Sequence, residues 1–136
     1  MGEIGRTKVS LRLFSDDLDP EAVTSLLGRQ PTRSWRAGEM KFSRPATFGS
    51  WHLQSDLSGD LDAQIRGLLA SLSPDIAVWN DLTKQHHADL FCGLFLTEGN
   101  QGLVLAPDTM DAIARRGLKL SLDIYGAPDT DEPVGE

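Results

Sequence analysis

The stretch Lys8-Val-Ser-Leu-Arg-Leu-Phe14 decides the first element of the fold. Aliphatic residues occupy every second position of this stretch, at Val9, Leu11 and Leu13, and polar or aromatic residues fall between them. Because successive side chains of a β-strand point to opposite faces, the alternation predicts a strand with one aliphatic face and one mixed face. A sheet that contains this strand therefore has one face to cover and one face to leave open.

Three further segments predict partners for this strand. Residues 50–55 alternate with Trp51 and Leu53 on one face, and residues 118–125 carry an aliphatic residue at every even position. We expect these aliphatic residues to point inward. Residues 88–97 are apolar on both faces, which is typical of a strand in the middle of a sheet.

Amphipathic segments between the strands predict three to four helices. The clearest begins at Leu61, where leucine and isoleucine recur at i, i+4, i+7, i+8 and i+11 and so form one apolar stripe. Ser73-Pro74 ends that helix, because the residue before proline is pushed out of the helical region. The simplest packing is an α+β two-layer sandwich: a mainly antiparallel sheet of five to six strands with three to four helices on one face.

Length and composition place limits on the class of protein. The 136 residues suit a single domain, which we assign to residues 8–126, between a flexible N-terminus (1–7) and a disordered acidic tail (127–136). The net charge of −7 argues against general nucleic-acid binding. We expect no membrane span, because no apolar stretch is long enough. The single cysteine favours a reducing compartment, and we expect the protein in the cytoplasm.

The motifs of common catalytic and metal sites are missing from the sequence. Cys92 lies in an apolar run and reads as a small buried hydrophobic residue rather than a nucleophile. His86 and His87 are adjacent, which rarely suits one metal ion, and they read as a polar helix end. No phosphate-binding loop, dinucleotide fingerprint or nucleophile elbow occurs. We therefore predict no metal and no cofactor.

A basic segment between Arg29 and Gly49 is the most suggestive local feature. Arg33 and Arg36 carry guanidinium groups that form forked hydrogen bonds to a carboxylate or phosphate, Trp35 offers a flat stacking surface, and Lys41 extends the positive charge. The segment therefore indicates a site for a small anionic ligand or an acidic protein partner. The alternative is that Trp35 fills the core and the arginines pair with the abundant acids.

The sheet face left free by the helices is a second candidate surface. Alternation puts Arg12, His52, Asp123 and Tyr125 there, with Phe14, Gln54, Phe91 and Phe95. Such a face serves as a binding platform or as the interface of a homodimer, and the other alternative is that its phenylalanines are covered by the 29–49 loop. An enzyme is the alternative function, with His52 and Asp123 as a general acid/base pair near Tyr125. We favour a non-catalytic binding module.

Several short patterns occur in a specific order along the chain. They are Ser10–Phe14, Leu18-Asp-Pro20, Leu26-Leu-Gly28, Pro31-Thr32 with Trp35 and Gly38, Trp51 with Ser55, and Leu122-Asp-Ile-Tyr125. Together they resemble the bacterial domain-of-unknown-function family 4279 (DUF4279) over residues 8–126. The resemblance implies a small, stand-alone bacterial protein, and it brings neither an assigned activity nor catalytic residues.

Overall fold

A computed structural model describes residues 2–128 of the chain. Its elements are, in chain order, β1 (Gly2–Glu3), β2 (Arg6–Ser15), α1 (Pro20–Leu27), β3 (Arg33–Trp35), β4 (Met40–Lys41), β5 (Arg44–Pro45), β6 (Gly49–Gln54), α2 (Leu61–Ala70), α3 (Ile76–Gln85), β7 (His87–Phe95), β8 (Gln101–Gly102), α4 (Pro107–Arg115) and β9 (Lys119–Tyr125). The four helices and the central sheet confirm the predicted α+β class.

The main sheet has five strands in the order β3-β6-β2-β7-β9, with the alternating strand β2 at its centre. Three of its four strand pairs are antiparallel, and the last pair, β7 with β9, is parallel. The sheet is therefore mixed, because the chain returns from β7 to β9 through the crossover helix α4. Two further small sheets pair β1 with β8 and β4 with β5.

The core lies between one face of this sheet and the four helices. The alternating aliphatic residues of β2 are fully buried, as are Trp51 of β6 and Leu90 of β7. Trp51 and Trp79 each bury an indole ring, and each ring N–H is satisfied, by Thr24 Oγ1 at 3.0 Å and by the Ser73 carbonyl at 2.7 Å. A buried polar hydrogen would otherwise destabilise the core.

Aspartate side chains define where three of the helices begin. Asp19, Asp60 and Asp75 each accept a hydrogen bond from a main-chain N–H in the first turn of α1, α2 and α3 respectively. These bonds satisfy donors that have no partner inside a helix. At the other end of α1, Gly28 adopts a left-handed conformation with φ of 86°, which ends the helix and turns the chain toward β3.

The structure describes the predicted N-terminal segment but only the first residues of the predicted C-terminal tail. Residues 2–7, assigned above to a flexible N-terminus, include β1 and the start of β2, and between these strands Ile4 is buried and donates its N–H to the Gly102 carbonyl at 3.0 Å. The predicted acidic tail lies largely outside the described residues. Within residues 2–128 no helix is long and apolar enough to cross a membrane.

Strand β9 departs from the predicted burial. Its alternating aliphatic residues do lie on the helix side of the sheet, since they pair with buried residues of β7. Only Leu118, just before the strand, is buried, whereas Leu120, Leu122 and Ile124 are 38%, 49% and 60% exposed. The helical layer therefore stops short of this edge of the sheet, so inward orientation does not lead to burial there.

Candidate functional site

The helix-free face of the sheet carries the side chains that alternation assigned to it. The strand registers pair Arg12 with His52, and Phe95 with Tyr125, so residues of β2, β6, β7 and β9 share one face as predicted. Strand β3 adds Arg33 and a half-buried Trp35, the register partners of His52 and Ser50. We call this surface the open face.

An ion pair crosses the middle of the open face. Arg12 donates to both carboxylate oxygens of Asp89, from Nε at 2.9 Å and from NH2 at 2.6 Å, and Ser121 Oγ donates to the same carboxylate at 2.8 Å. The Asp89 hydrogen bond raises the pKa of Arg12 in spite of burial. Burial acts to raise the pKa of Asp89, but the bonds from Arg12 and Ser121 outweigh it and leave that pKa below its ordinary value.

His52 lies beside this pair and stays neutral near pH 7. Burial, followed by the charges of Arg33, Arg12 and Lys41, lowers its pKa from 6.5 to about 4. Arg33 Nε donates to His52 Nδ1 at 3.4 Å, so Nδ1 acts as the acceptor and the ring proton resides on Nε2. Nε2 then donates to Ser50 Oγ at 2.8 Å. The ring is thus held in one tautomer with cations around it.

A pocket opens at the corner of the open face beside Trp35. The β4–β5 hairpin forms its wall, and the pocket has a volume of about 370 Å³. Lys41 Nζ lies 3.2 Å from the centroid of the Trp35 ring, and Arg44 also lines the space. Phe42 at the hairpin tip is 95% exposed and has a φ of 59°. Such a conformation is costly for a bulky residue, which makes the tip a candidate contact point.

The basic residues of the segment divide into paired and free charges. The Arg36 side chain lies at the start of α1, where it forms ion pairs with Asp19 at 2.9 Å and with Glu21. Within residues 2–128, Arg33 and Lys41 have no carboxylate at salt-bridge distance. Of the predicted cations Arg33, Arg36 and Lys41, Arg36 is therefore already paired, whereas Arg33 and Lys41 have no carboxylate partner among the described residues.

Asp123 and Tyr125 lie at the far end of the open face. Tyr125 donates its hydroxyl to Asp123 Oδ2 at 2.7 Å and stacks on Phe95 with ring centroids 4.7 Å apart. Across the sheet, the register partner of His52 is Arg12, that of Arg12 is Asp89, and that of Asp89 is Lys119. Lys119 lies four residues before Asp123 in β9. That offset is about 13 Å along the strand, in addition to about 14 Å across three strand spacings. The structure therefore does not bring His52 and Asp123 together as an acid/base pair.

Other sequence-based predictions concern single residues. Cys92 is fully buried, and burial raises the pKa of its thiol to about 12, as expected for a core residue. Among the described residues, no three histidine, cysteine or acidic side chains form a group that could hold a metal ion. Sequence reasoning missed Asp89, although a carboxylate inside an otherwise apolar strand is a usable signal for a buried ion pair.

Comparison with known proteins gives a family and nothing finer. The family model for a domain of unknown function, DUF4279, matches residues 5–127. The chain belongs to the DUF4279 family. The match spans nearly all described residues, so this DUF4279 fold includes both the open face and the pocket beside Trp35. No curated protein and no solved structure matched the chain.

Proposed function

We propose that this DUF4279 protein is a non-catalytic binding module that holds a carboxylate or phosphate group between Arg33, Trp35 and Lys41. One observation carries the proposal. Arg33, Arg12 and Lys41 lie close enough to His52 for their charges to lower its pKa, and of these three only Arg12 has a carboxylate partner within residues 2–128. An anion entering the corner would supply the missing negative charge.

The chemistry of the corner favours an oxyanion over an apolar ligand. A guanidinium presents a planar fork of N–H donors that matches carboxylate and phosphate geometry, and an ammonium adds a point charge. Arg33 is exposed and uses only Nε in its bond to His52. The pocket walls formed by Trp35 and Phe48 are aromatic, so the remainder of the ligand can stack there.

The anionic group belongs either to a small ligand or to an acidic segment of a partner protein. The overall charge of −7 repels anions in general, so we expect an anion to bind where cations without a carboxylate partner lie close together, as Arg33 and Lys41 do at this corner. The proposed setting is the bacterial cytoplasm, in keeping with one buried cysteine and no disulfide among the described residues.

Tryptophan fluorescence provides the test, because Trp35 is the only one of the three tryptophans with solvent-exposed surface. Titration with inorganic phosphate and, separately, with an oligo-glutamate peptide should change the emission of Trp35 in a saturable way. Arg33→Ala and Lys41→Ala should each weaken binding about tenfold, as expected for the loss of a charge-assisted hydrogen bond. Phosphate saturation alone identifies a small-anion site, and stronger binding of the peptide identifies a protein partner.

Matched controls remove the same charges elsewhere. Lys84→Ala on α3 and Arg115→Ala on α4 lower the positive charge equally but lie outside the corner, so they should leave the affinity unchanged. Arg36→Ala should also have little effect, since its guanidinium already has two carboxylates. Emission that neither anion changes, or losses of equal size in the control variants, would refute the proposal.

A further inference from the structure

Strand β9 forms one edge of the five-stranded sheet, and its outer side has no strand partner among residues 2–128. The opposite edge, β3, is three residues long, whereas β9 has seven. Long edge strands with exposed apolar side chains are prone to pair with another strand. Leu120, Leu122 and Ile124 provide such side chains.

The pairing with β7 determines which main-chain groups of β9 are free. The Leu96 N–H donates to the Tyr125 carbonyl at 3.0 Å, so Tyr125 turns its main-chain groups toward β7. These groups alternate sides along a strand, and Ser121 and Asp123 therefore face β7 as well. The N–H and C=O groups of Leu120 and Leu122 consequently point outward.

The sequence of β9 is complementary to itself when two copies run antiparallel. With Ser121 opposite Ser121 of the second copy, Lys119 falls opposite Asp123 in both directions, and Leu120 falls opposite Leu122. The outward main-chain groups of these leucines then form hydrogen-bonded pairs, and the charged residues occupy the closer non-hydrogen-bonded positions. Both ion pairs lie on the open face, and the leucines cluster on the helix side.

Neighbouring registers lack this match. A register centred on Lys119 or Asp123 opposes like charges, and one centred on Leu122 places Lys119 opposite Tyr125. A register shifted by one residue would place the aliphatic side chains of one β9 strand opposite the charged side chains of the other. We propose that the protein forms a two-fold dimer in which β9 pairs antiparallel with β9 of a second copy, centred on Ser121, and joins the two sheets into one.

Sedimentation velocity of the full chain at several concentrations tests the dimer. The wild-type chain should sediment as a dimer that dissociates on dilution. Lys119→Asp or Asp123→Lys opposes like charges twice per dimer and should raise the dissociation constant about tenfold or more. The double variant should restore the wild-type value. A wild-type monomer at every concentration, or a dimer that is indifferent to these changes, would overturn the proposal.

Two further variants test the surface and the register. Leu122→Lys should give a monomer, whereas Leu26→Lys, at a similarly exposed leucine on α1, should leave the dimer intact. Ser121→Cys should form a disulfide-linked dimer on oxidation, because its Cα atoms would face each other across the two-fold axis. Ser34→Cys on β3 is the control that should stay uncrosslinked. A Ser121→Cys dimer that resists oxidation would exclude this register.

Phosphate binding separates this inference from the proposed function. None of the substituted residues lines the corner beside Trp35. The monomeric variants should therefore bind phosphate like the wild-type protein, and loss of binding in Arg33→Ala should leave the dimer unchanged.

Discussion

Replacement of His52 by glutamine should make the stability of the protein less sensitive to acid. In the folded chain His52 is neutral and half-buried, with Arg33, Arg12 and Lys41 around it and Asp89 as the one nearby carboxylate that opposes them. In the unfolded chain its ring protonates freely. The unfolded state therefore binds an additional proton as the pH falls, and the wild-type protein loses stability that the glutamine variant does not lose.

The pKa of His52 determines the pH window and the magnitude. A folded-state pKa lowered from 6.5 to about 4 means that the stability contributed by neutral His52 is present above pH 6.5 and is lost as the pH falls through 4. The full difference is about 3.4 kcal/mol, at about 1.36 kcal/mol per pH unit. Because the His52 ring is only partly buried and water screens its surroundings, we expect about 1 to 2 kcal/mol.

Urea unfolding at about pH 7.5 and about pH 4.5 gives the free energy of unfolding of each protein at each pH. The effect is the difference between the two proteins in how far this free energy falls from the higher to the lower pH. Wild type should lose about 1 to 2 kcal/mol more than His52→Gln over this range. An NMR titration of the His52 ring gives the pKa directly, and saturating phosphate should raise it. Identical pH dependence in both proteins, together with a ring that titrates near 6.5, would refute the account of the cation cluster.

Three other substitutions and one control substitution test the fold that holds the site, each by the free energy of unfolding in urea. Asp89→Asn replaces one carboxylate oxygen with a donor that faces the Arg12 guanidinium and should cost about 2 kcal/mol. Gly49→Ala would place a Cβ 2.7 Å from a main-chain oxygen and should cost about 2 kcal/mol, whereas Gly99→Ala, with no heavy atom within 4 Å, should be nearly neutral. Asp60→Ala removes the cap of α2 and should cost about 1 kcal/mol.

Alternation in the sequence was sufficient to predict the faces of the sheet. It placed Arg12 and His52 on the helix-free side because a register error of one residue would have exposed the aliphatic residues of β2. Alternation does not predict which strands are neighbours, and so it does not predict how far apart two residues of one face lie. Nothing in the spacing of the strands shows that β2 and β7 separate β6 from β9, and that order keeps Asp123 away from His52.

The partners of the charged side chains are the second feature that the sequence alone does not predict. Arg36 and Asp19 are 17 positions apart, and their contact depends on where the basic segment passes the start of α1. The same holds for Asp89, whose partner Arg12 comes from a neighbouring strand. The exposure of β9 likewise depends on the extent of the helical layer, because its alternation is identical to that of a fully buried strand.

The parallel pairing of β7 with β9 has a consequence for synthesis on the ribosome. Strand β7 receives its outer neighbour only after translation has passed through α4 and reached residue 125. Until then the nascent chain presents β7, with its apolar run, as an unprotected edge of a four-stranded sheet, a state in which chains can associate wrongly. Codon choice or chaperone binding over residues 96–118 would therefore affect the yield of native protein without changing its final stability.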